Sequence, residues 1–380
     1  MDARLGESVS CAELPNLNLG IRVPSLELTG DNGEMFADTL IAWHARHGRH
    51  DLPWQRPRNP YRVWVSEIML QQTQVITVLG YYQRFLQRFP DVASLAAAPL
   101  DEVLHLWSGL GYYSRARNLK RAAERIVAEY GGEFPITREA LSELPGIGRS
   151  TAAAILALSQ GQREAILDGN VRRVLSRVYG IDGAPAAPET LRTLWACAES
   201  ALPAREVATY TQAIMDFGAT LCTRHEPLCM HCPLRAECVA LATGRVQELP
   251  ARRTRAARRT RAVIMLLATR GDGDVLLQRR PSQGIWGGLW APPDFENREA
   301  AEQFCGSRLQ RAQLDGAALP VLRHGFTHFD LEITPIRALC EGLAGVMEGG
   351  DTLWYNARQP PRIGLPAPIA TLLSAASPPP

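Results

Sequence analysis

The sequence predicts two domains, a mainly α N-terminal domain followed by a smaller α+β C-terminal domain. The chain has 380 residues, which suggests more than one domain. Residues 35–244 carry apolar stripes at helical spacing, separated by Gly and Pro. From residue 262 the pattern changes to short apolar runs typical of strands, around the hairpin signal Gly271-Asp272-Gly273. The change of period marks the boundary between the two domains.

The segments between and around these domains have compositions of their own. Residues 1–34 read as a disordered extension, and residues 374–380 as a disordered Pro-rich tail. Residues 245–261 are rich in Arg and read as a linker, which leaves a second domain over residues 262–373. Within that domain the predicted strands cover residues 262–267, 275–277 and 331–334, and the predicted helix covers residues 299–311.

Composition excludes some classes of protein. The chain is 46% hydrophobic and 21% charged with a net charge of +2, which are ordinary values for a globular protein. No apolar run approaches the ~18 residues that a membrane span needs. The first 34 residues lack a basic n-region and carry several acids, so neither a secretory signal nor a transit peptide is expected. The missing targeting signal leads us to expect a cytoplasmic protein. We also expect a monomer.

Four cysteines form a cluster within 17 residues. They are Cys222, Cys229, Cys232 and Cys238, with the spacing C-x6-C-x2-C-x5-C. In a chain without a signal peptide such clustering favours metal ligation over disulfides. Zinc sites usually have two close Cys pairs, whereas only one close pair is present here. The four thiols therefore predict a metal centre, which is either an iron–sulfur cluster or a zinc ion.

A glycine-rich turn precedes a helix of small residues. The segment Leu144-Pro145-Gly146-Ile147-Gly148-Arg149-Ser150 leads into the helix that begins near Thr151. Gly146 and Gly148 permit backbone conformations that other residues resist, so backbone N–H groups can point outward at the start of the helix. Such a site takes a phosphate oxygen, at which a monovalent cation can bridge, although the same pattern also occurs in an ordinary turn.

Two carboxylates stand out from their surroundings. Asp168 follows an apolar run and precedes a helix, a position typical of a helix N-cap. Glu67 lies among strongly apolar neighbours in Val63-Trp64-Val65-Ser66-Glu67-Ile68-Met69. A lone Glu on a helix is usually solvated, but partial burial raises the pKa and keeps the carboxyl protonated for general acid catalysis.

These motifs together resemble the helix–hairpin–helix, iron–sulfur DNA glycosylases, and among them the MutY family of adenine glycosylases. The resemblance covers about residues 36–370, and its clearest segments are Ser66–Val75, Leu144–Ser150 and the cysteine loop, residues 222–238. It implies a [4Fe–4S] cluster on the four cysteines. It also implies that Glu67 protonates adenine, that Asp168 stabilises the oxocarbenium-like transition state, and that Asn170 orients Asp168 or the water. Bifunctional relatives have a lysine at the position of Ser150, so the chain resembles the monofunctional branch.

Further segments resemble the parts of this family that read the partner base. Gly109–Leu119 resembles the family's wedge segment, which contains Leu110 and Tyr112, with Tyr112 as the residue that enters the base stack and Arg115 and Arg117 as phosphate contacts. Gln72 and Thr73 match family residues that border the vacated space. Phe326, Thr327 and His328 resemble the family loop that distinguishes 8-oxoguanine from guanine, with Thr327 in place of the usual Ser.

The C-terminal domain resembles the Nudix fold through Gly284–Trp290, but the acidic helix signature of a Nudix hydrolase is missing after it. The resemblance therefore implies a lesion-reading domain. The resemblance of the whole chain to the MutY family implies a monofunctional glycosylase that removes adenine opposite 8-oxoguanine or guanine in bacterial duplex DNA after base flipping. Three alternatives remain open: an endonuclease III-like pyrimidine glycosylase with lyase activity, a non-catalytic helix–hairpin–helix DNA-binding protein, and a Nudix-type nucleotide hydrolase.

Overall fold

The computed structural model of the chain describes residues 30–251, 258–315, 319–344 and 350–376. Within these ranges the chain divides into two compact units. The first unit comprises residues 30–82 and 125–251, and the second comprises residues 83–124 and 258–376. Residues 83–124, which the sequence analysis assigned to the helical domain, therefore pack with the C-terminal residues.

Helices dominate the N-terminal part of the chain. They are α1 (Gly30–His47), α2 (Pro60–Leu70), α3 (Val75–Arg88), α4 (Val92–Ala97), α5 (Leu100–Trp107), α6 (Ser114–Tyr130), α7 (Arg138–Ser142), α8 (Arg149–Gln160), α9 (Gly169–Val178), α10 (Pro188–Ser200), α11 (Val207–Asp216) and α12 (Val239–Ala242). The chain is π-helical over Phe217–Leu221 and forms a 3₁₀ turn over Cys229–His231. Most of these helices match the apolar stripes of the sequence, which confirms the mainly α domain.

The core of the first unit is built around α8. Its residues Ala152–Leu158 are all buried, because small Ala side chains let neighbouring helices approach closely on every face. Helices α2, α7 and α11 pack against it. Asn59 caps α2 by accepting a hydrogen bond from Arg62 N at 2.8 Å, and Pro60 occupies the first helical position. This packing fixes the positions of α2 and α8, which both carry predicted site residues.

Strands dominate the C-terminal part. They are β1 (Arg259–Thr269), β2 (Val275–Arg279), β3 (Trp290–Ala291), β4 (Asp294–Phe295), β5 (Leu309–Gln310), β6 (Gln313–Leu314), β7 (Leu322–Gly325), β8 (Phe329–Leu339), β9 (Gly342–Leu343) and β10 (Thr352–Tyr355), with the helices α13 (Arg298–Arg308) and α14 (Ala367–Ala376). In the described residues the main sheet has the order β10-β2-β1-β8-β6. Three further short strands join it: β3 pairs with β2, β4 with β1, and β7 with β8. β1 and β8 run parallel, and all other pairs are antiparallel. The predicted α+β domain is confirmed.

The ends of the predicted segments differ from the structure. Residues 30–34 belong to α1 and residues 374–376 to α14, while residues 1–29 and 377–380 lie outside the described residues. In the linker region residues 252–257 also lie outside the described residues, but residues 259–261 already belong to β1. They pair with β8, where Arg259 lies opposite Phe329, and this distant partner leaves no local signal in the sequence. Among the described residues, no helix combines the length and the apolar character needed to cross a membrane.

Candidate active site

A cavity of about 670 Å³ opens between the helices of the first unit. Five of the predicted site residues line it: Glu67, Thr73, Ser150, Asp168 and Asn170. They come from α2, the turn after it, the start of α8 and the start of α9. About a hundred residues of chain separate Glu67 from Asp168, and their meeting in one cavity is what the resemblance implied.

Glu67 lies near the end of α2, between Ser66 and Ile68, which are both buried. Burial, and to a smaller extent the negative charge of Asp168, raises the pKa of the Glu67 carboxyl from its usual 4.5 to about 7. The carboxyl therefore retains its proton near neutral pH. A protonated carboxyl that lines a cavity is suited to donate a proton to a bound base.

Asp168 is the N-cap of α9 and also a wall of the cavity. Its Oδ1 accepts a hydrogen bond from Val171 N at 2.7 Å, and Asn170 Nδ2 lies 3.4 Å from Oδ2. Burial raises the pKa of Asp168, while the backbone hydrogen bonds and the positive charges of Arg173 and Arg172 oppose the shift. The capping role and the site role coincide, because the cap fixes the carboxylate at the cavity wall.

Ser150 connects the hairpin to the segment that ends at Asp168. Its Oγ accepts a hydrogen bond from Leu167 N at 2.9 Å. Gly146 has φ = 79°, a left-handed conformation that favours glycine. Gly148 is the N-cap of α8 and contributes no side-chain capping bond, so the helix begins with backbone N–H groups as its only donors. Gly146 thus has the conformation that the sequence analysis expected, whereas Gly148, with φ = −95°, has one that other residues also adopt.

The sequence analysis missed several residues that line the same cavity. Leu52, Trp54 and Leu70 form apolar walls, and Arg49 and Gln212 add polar groups. None of these residues lies in a motif of fixed spacing, so the local sequence carries no signal for them.

Arg49 and Gln212 are held by the buried carboxylate of Asp216. Arg49 donates from its backbone N at 2.8 Å and from Nε at 2.9 Å, and Gln212 Nε2 donates at 2.9 Å. Burial favours a raised pKa for Asp216, but hydrogen bonds from His44 and Arg49 outweigh it and lower the pKa below its usual value. An ionised carboxylate therefore orients two polar side chains of the cavity.

Arg173 was also missed, and it connects Asn170 to the cysteine loop. Its Nη2 donates to Asn170 Oδ1 at 2.7 Å and to Gly218 O at 2.6 Å, while Nε donates to Cys222 O at 2.8 Å. Gly218 lies in the π-helical turn, where a Cβ would be 2.7 Å from the Asn170 Cβ. The π-helical turn and Asn170 therefore pack too closely for any residue except glycine.

The four predicted metal-ligating cysteines line one small cavity of their own. Arg177 Nη1 donates to Cys222 Sγ at 3.4 Å, and Cys238 Sγ donates to Arg177 O at 3.5 Å. Burial, together with a smaller effect of the three neighbouring cysteines, raises the pKa of Cys232 to about 12. Among the described residues, no group of three or more His, Cys, Asp or Glu is arranged to hold a single metal ion.

The predicted residues of the wedge segment lie in the second unit. Tyr112 is 46% exposed and has φ = 49°, and Leu110 is buried behind it. The buried Arg115 guanidinium lies 5.4 Å from the Tyr112 ring centroid and donates to the Leu110 and Gly111 carbonyls. Burial lowers the pKa of Arg115 to about 10. Arg115 and Arg117, which the sequence analysis expected to hold phosphates, both donate to backbone carbonyls in the structure, Arg117 to that of Gly287.

The Phe326–His328 loop is the tip of the hairpin formed by β7 and β8. Phe326 N donates to Phe329 O at 2.8 Å, and their rings stack with centroids 4.6 Å apart. Thr327 and His328 are exposed at the tip. Tyr112 Oη lies 3.5 Å from Thr327 Oγ1, so the predicted wedge and the predicted lesion reader meet within one unit.

Gln72 does not line the cavity of the first unit in the described residues. It is exposed on the turn between α2 and α3, next to Thr73, and its φ is 59°. Backbone strain of this kind in a non-glycine residue is concentrated at functional sites.

Residues 65–199 match the family described as "HhH-GPD superfamily base excision DNA repair protein", and residues 264–375 match the NUDIX domain. The chain is 36% identical over 340 residues to the adenine DNA glycosylase of Buchnera aphidicola subsp. Acyrthosiphon pisum, covering 89% of this chain and 97% of the relative. It is 35% identical over 355 residues to the adenine DNA glycosylase of Mus musculus, covering 78% of this chain and 69% of the relative.

A likeness to glycosylases for other bases is confined to part of the chain. The thymine/uracil-DNA glycosylase of Pyrobaculum aerophilum is 37% identical over 202 residues, which are 52% of this chain and 88% of the relative. The solved structure of a thermostable thymine-DNA glycosylase superposes with a TM-score of 0.51 and 29% identity, over 56% of this chain and 97% of that chain. The similarity to adenine glycosylases extends over nearly the whole chain.

Proposed function

Because this chain belongs to the adenine DNA glycosylases of base excision repair, we propose that it removes adenine paired with 8-oxoguanine or guanine in duplex DNA by direct hydrolysis. One observation carries the proposal: Glu67, with its pKa near 7, and Asp168 line one cavity that is large enough for a flipped base.

The chemistry requires a proton for the leaving base, because adenine leaves poorly as an anion. Glu67 donates that proton to N7 of the flipped adenine, and the C1′–N9 bond breaks with its electron pair on the base. Asp168 stabilises the positive charge that develops on the sugar, since its carboxylate is already fixed as the cap of α9. Asn170, which Arg173 holds, orients Asp168 or the water that adds to C1′.

Adenine would be recognised by the walls of the cavity. Leu52, Trp54 and Leu70 offer apolar surfaces for a planar base, and Arg49 and Gln212 offer polar groups fixed by Asp216. Stacking and a few oriented polar groups are the usual means by which a flipped base is read.

Hydrolysis is favoured over lyase chemistry because no suitable amine is available from lysine. Ser150 lies where bifunctional relatives have a lysine, and its hydroxyl already accepts from Leu167 N. Lys120 is the only lysine of the chain. Its Nζ is buried and donates to Ala96 O at 2.7 Å and to Glu124 Oε1 at 2.5 Å, so it is committed to a structural contact.

The partner base would be read by the second unit. Tyr112 would enter the stack beside the mispair, and Thr327 would hydrogen bond to 8-oxoguanine through the hydroxyl that it shares with the usual Ser. His328 lies exposed next to Thr327, and Gln72 with Thr73 would border the space left by the adenine.

The hairpin Leu144–Ser150 would bind a phosphate through the N–H groups at the start of α8, with a monovalent cation as a bridge. Cys222, Cys229, Cys232 and Cys238 would hold a [4Fe–4S] cluster. These four residues fit such a cluster, because their thiols line one cavity and have the sequence spacing typical of this family. When bound, the cluster supplies structural order to the loop, and Arg173 and Arg177 transmit that order to α9.

The test is single-turnover excision by the cluster-loaded protein on a panel of duplexes. Adenine opposite 8-oxoguanine and adenine opposite guanine should both react. Thymine or uracil opposite guanine, an oxidised pyrimidine and free nucleotides should not react. Excision of a pyrimidine without excision of adenine would refute the proposal, and DNA binding without any excision would favour the non-catalytic alternative.

A further inference from the structure

A turn that the proposed function leaves unused lies directly behind the lesion-reading loop. It is the segment Gly284–Gly288 between β2 and β3, in the second unit. Trp286 has φ = 54°, in the left-handed region that bulky side chains rarely adopt. Its side chain is buried, with only 9% of the residue exposed. A Cβ on Gly287 would be 2.3 Å from Ser282 O, so only glycine fits there. Such strain persists only where the surrounding structure enforces it.

Trp286 contacts the base of the Phe326–His328 loop. Its ring centroid lies 5.9 Å from those of both His324 and Phe326. His324 and Phe326 meet edge to face at 4.8 Å. The pKa of His324 is lowered by burial, so this imidazole is neutral near pH 7 and belongs to an apolar cluster. The indole therefore backs the loop on the side opposite its exposed tip.

The same turn is bonded to the helix that follows Tyr112. Arg117, on α6, donates from Nη1 to Gly287 O, the residue directly after Trp286. Burial lowers the pKa of Arg117, and its Cδ would lie 3.6 Å from a Cβ on Gly288. Tyr112, which precedes this helix, also contacts Thr327 of the loop. The wedge, the helix, the turn and the loop are therefore connected to one another by a continuous set of contacts.

We propose that Trp286 is a positioning residue that fixes the lesion-reading loop relative to the wedge Tyr112, with Arg117 as its second anchor. The inference rests on the proposed function, since it assumes that this loop reads the partner base. Trp286 does not contact the reacting atoms. It acts on the position of Thr327 when Tyr112 enters the base stack. An error of about 1 Å in the placement of a functional group can cost on the order of a hundredfold in reaction rate.

The experiment uses the full-length, cluster-loaded chain and compares Trp286→Leu with Trp286→Phe. Excision rates at saturating enzyme and dissociation constants are measured for duplexes with adenine, or an uncleavable adenine analogue, opposite 8-oxoguanine and opposite guanine. We expect Trp286→Leu to lower the preference for 8-oxoguanine by about tenfold or more, while the saturated excision rate opposite guanine stays near that of the wild type. Trp286→Phe keeps an aromatic ring against His324 and Phe326, so it should recover part of the preference for 8-oxoguanine.

Trp354→Phe is the matched control. Trp354 lies on β10 of the same unit and packs against the sheet core, with the Arg270 guanidinium over its ring. It should lower stability without changing the preference between partner bases. Arg117→Met tests the second anchor and keeps the inference testable if Trp286→Leu does not fold.

The outcomes separate the inference from the function on which it rests. A wild-type protein that shows no preference for 8-oxoguanine over guanine refutes the proposed reading of the partner base, and the inference with it. A wild-type preference that persists in both Trp286→Leu and Arg117→Met overturns the inference alone. Equal loss of excision opposite both partner bases in these variants would also overturn it, because that result indicates a general structural role.

Discussion

Replacing Glu67 by Gln should stabilise the folded protein at alkaline pH while it removes the activity. The pKa of Glu67 is about 7 in the folded chain against the usual 4.5. The folded state therefore binds the proton more tightly than the unfolded state, and stability falls as the pH rises from 4.5 towards 7. From these two values the carboxyl costs about 1.4 kcal/mol at pH 5.5 and about 3.3 kcal/mol at pH 8. Gln has no proton to lose, so the advantage of the variant should grow by about 2 kcal/mol between these pH values.

The assay is urea unfolding of the cluster-loaded wild type and Glu67→Gln at pH 5.5 and pH 8, with excision of adenine measured on the same samples. Glu133→Gln is the control, because it makes the same chemical change at an exposed position of the first unit. Its difference from the wild type should be the same at both pH values. If the advantage of Glu67→Gln does not increase with pH, the carboxyl is not held protonated in the folded chain, and the reasoning for a general acid fails.

Three further predictions follow from the same geometry. Asp168→Asn should lower excision by about 100-fold or more, yet change the melting temperature little, because Asn also caps α9; substantial activity in this variant would exclude Asp168 from the chemistry. The single-turnover rate should fall as the pH rises above about 7, because Glu67 loses its proton there. It should also fall at acidic pH, because Asp168, whose pKa is raised, becomes protonated. A rate that still increases above pH 8 would contradict this assignment. Arg177→Met should speed the loss of the cluster's visible absorbance in the presence of a chelator, because three backbone carbonyls around the cysteine loop lose their donor, whereas unchanged loss would show that Arg177 does not support the loop.

The sequence predicted those parts of the fold that local patterns determine. Apolar periodicity located most helices, and the hairpin signal at Gly271-Asp272-Gly273 located β1 and β2. Motifs with fixed spacing located the hairpin glycines and the cysteine loop. Asp168 could be interpreted as a helix cap and as a site residue, and the structure shows the cap at the wall of the cavity.

What the sequence could not predict depends on contacts between distant residues. Arg49 and Gln212 become cavity residues only because Asp216, which is distant from Arg49 in sequence, orients both of them. The start of β1 at Arg259 depends on its pairing with Phe329. Arg115 was expected to contact a phosphate because of its place in the wedge segment, and the structure shows that it is buried beside Tyr112, a burial that no local pattern indicates.

Single-turnover reaction with a duplex that contains one adenine opposite 8-oxoguanine, quenched with and without hot alkali, tests the central claim most directly. The account predicts that adenine is released and that the strand is cut only after alkali, because Ser150 cannot form a Schiff base and Lys120 is buried against Glu124. Strand cleavage without alkali, beyond the spontaneous scission of abasic sites, would contradict hydrolysis by a monofunctional enzyme. Absence of any abasic product would contradict the assignment of adenine excision itself.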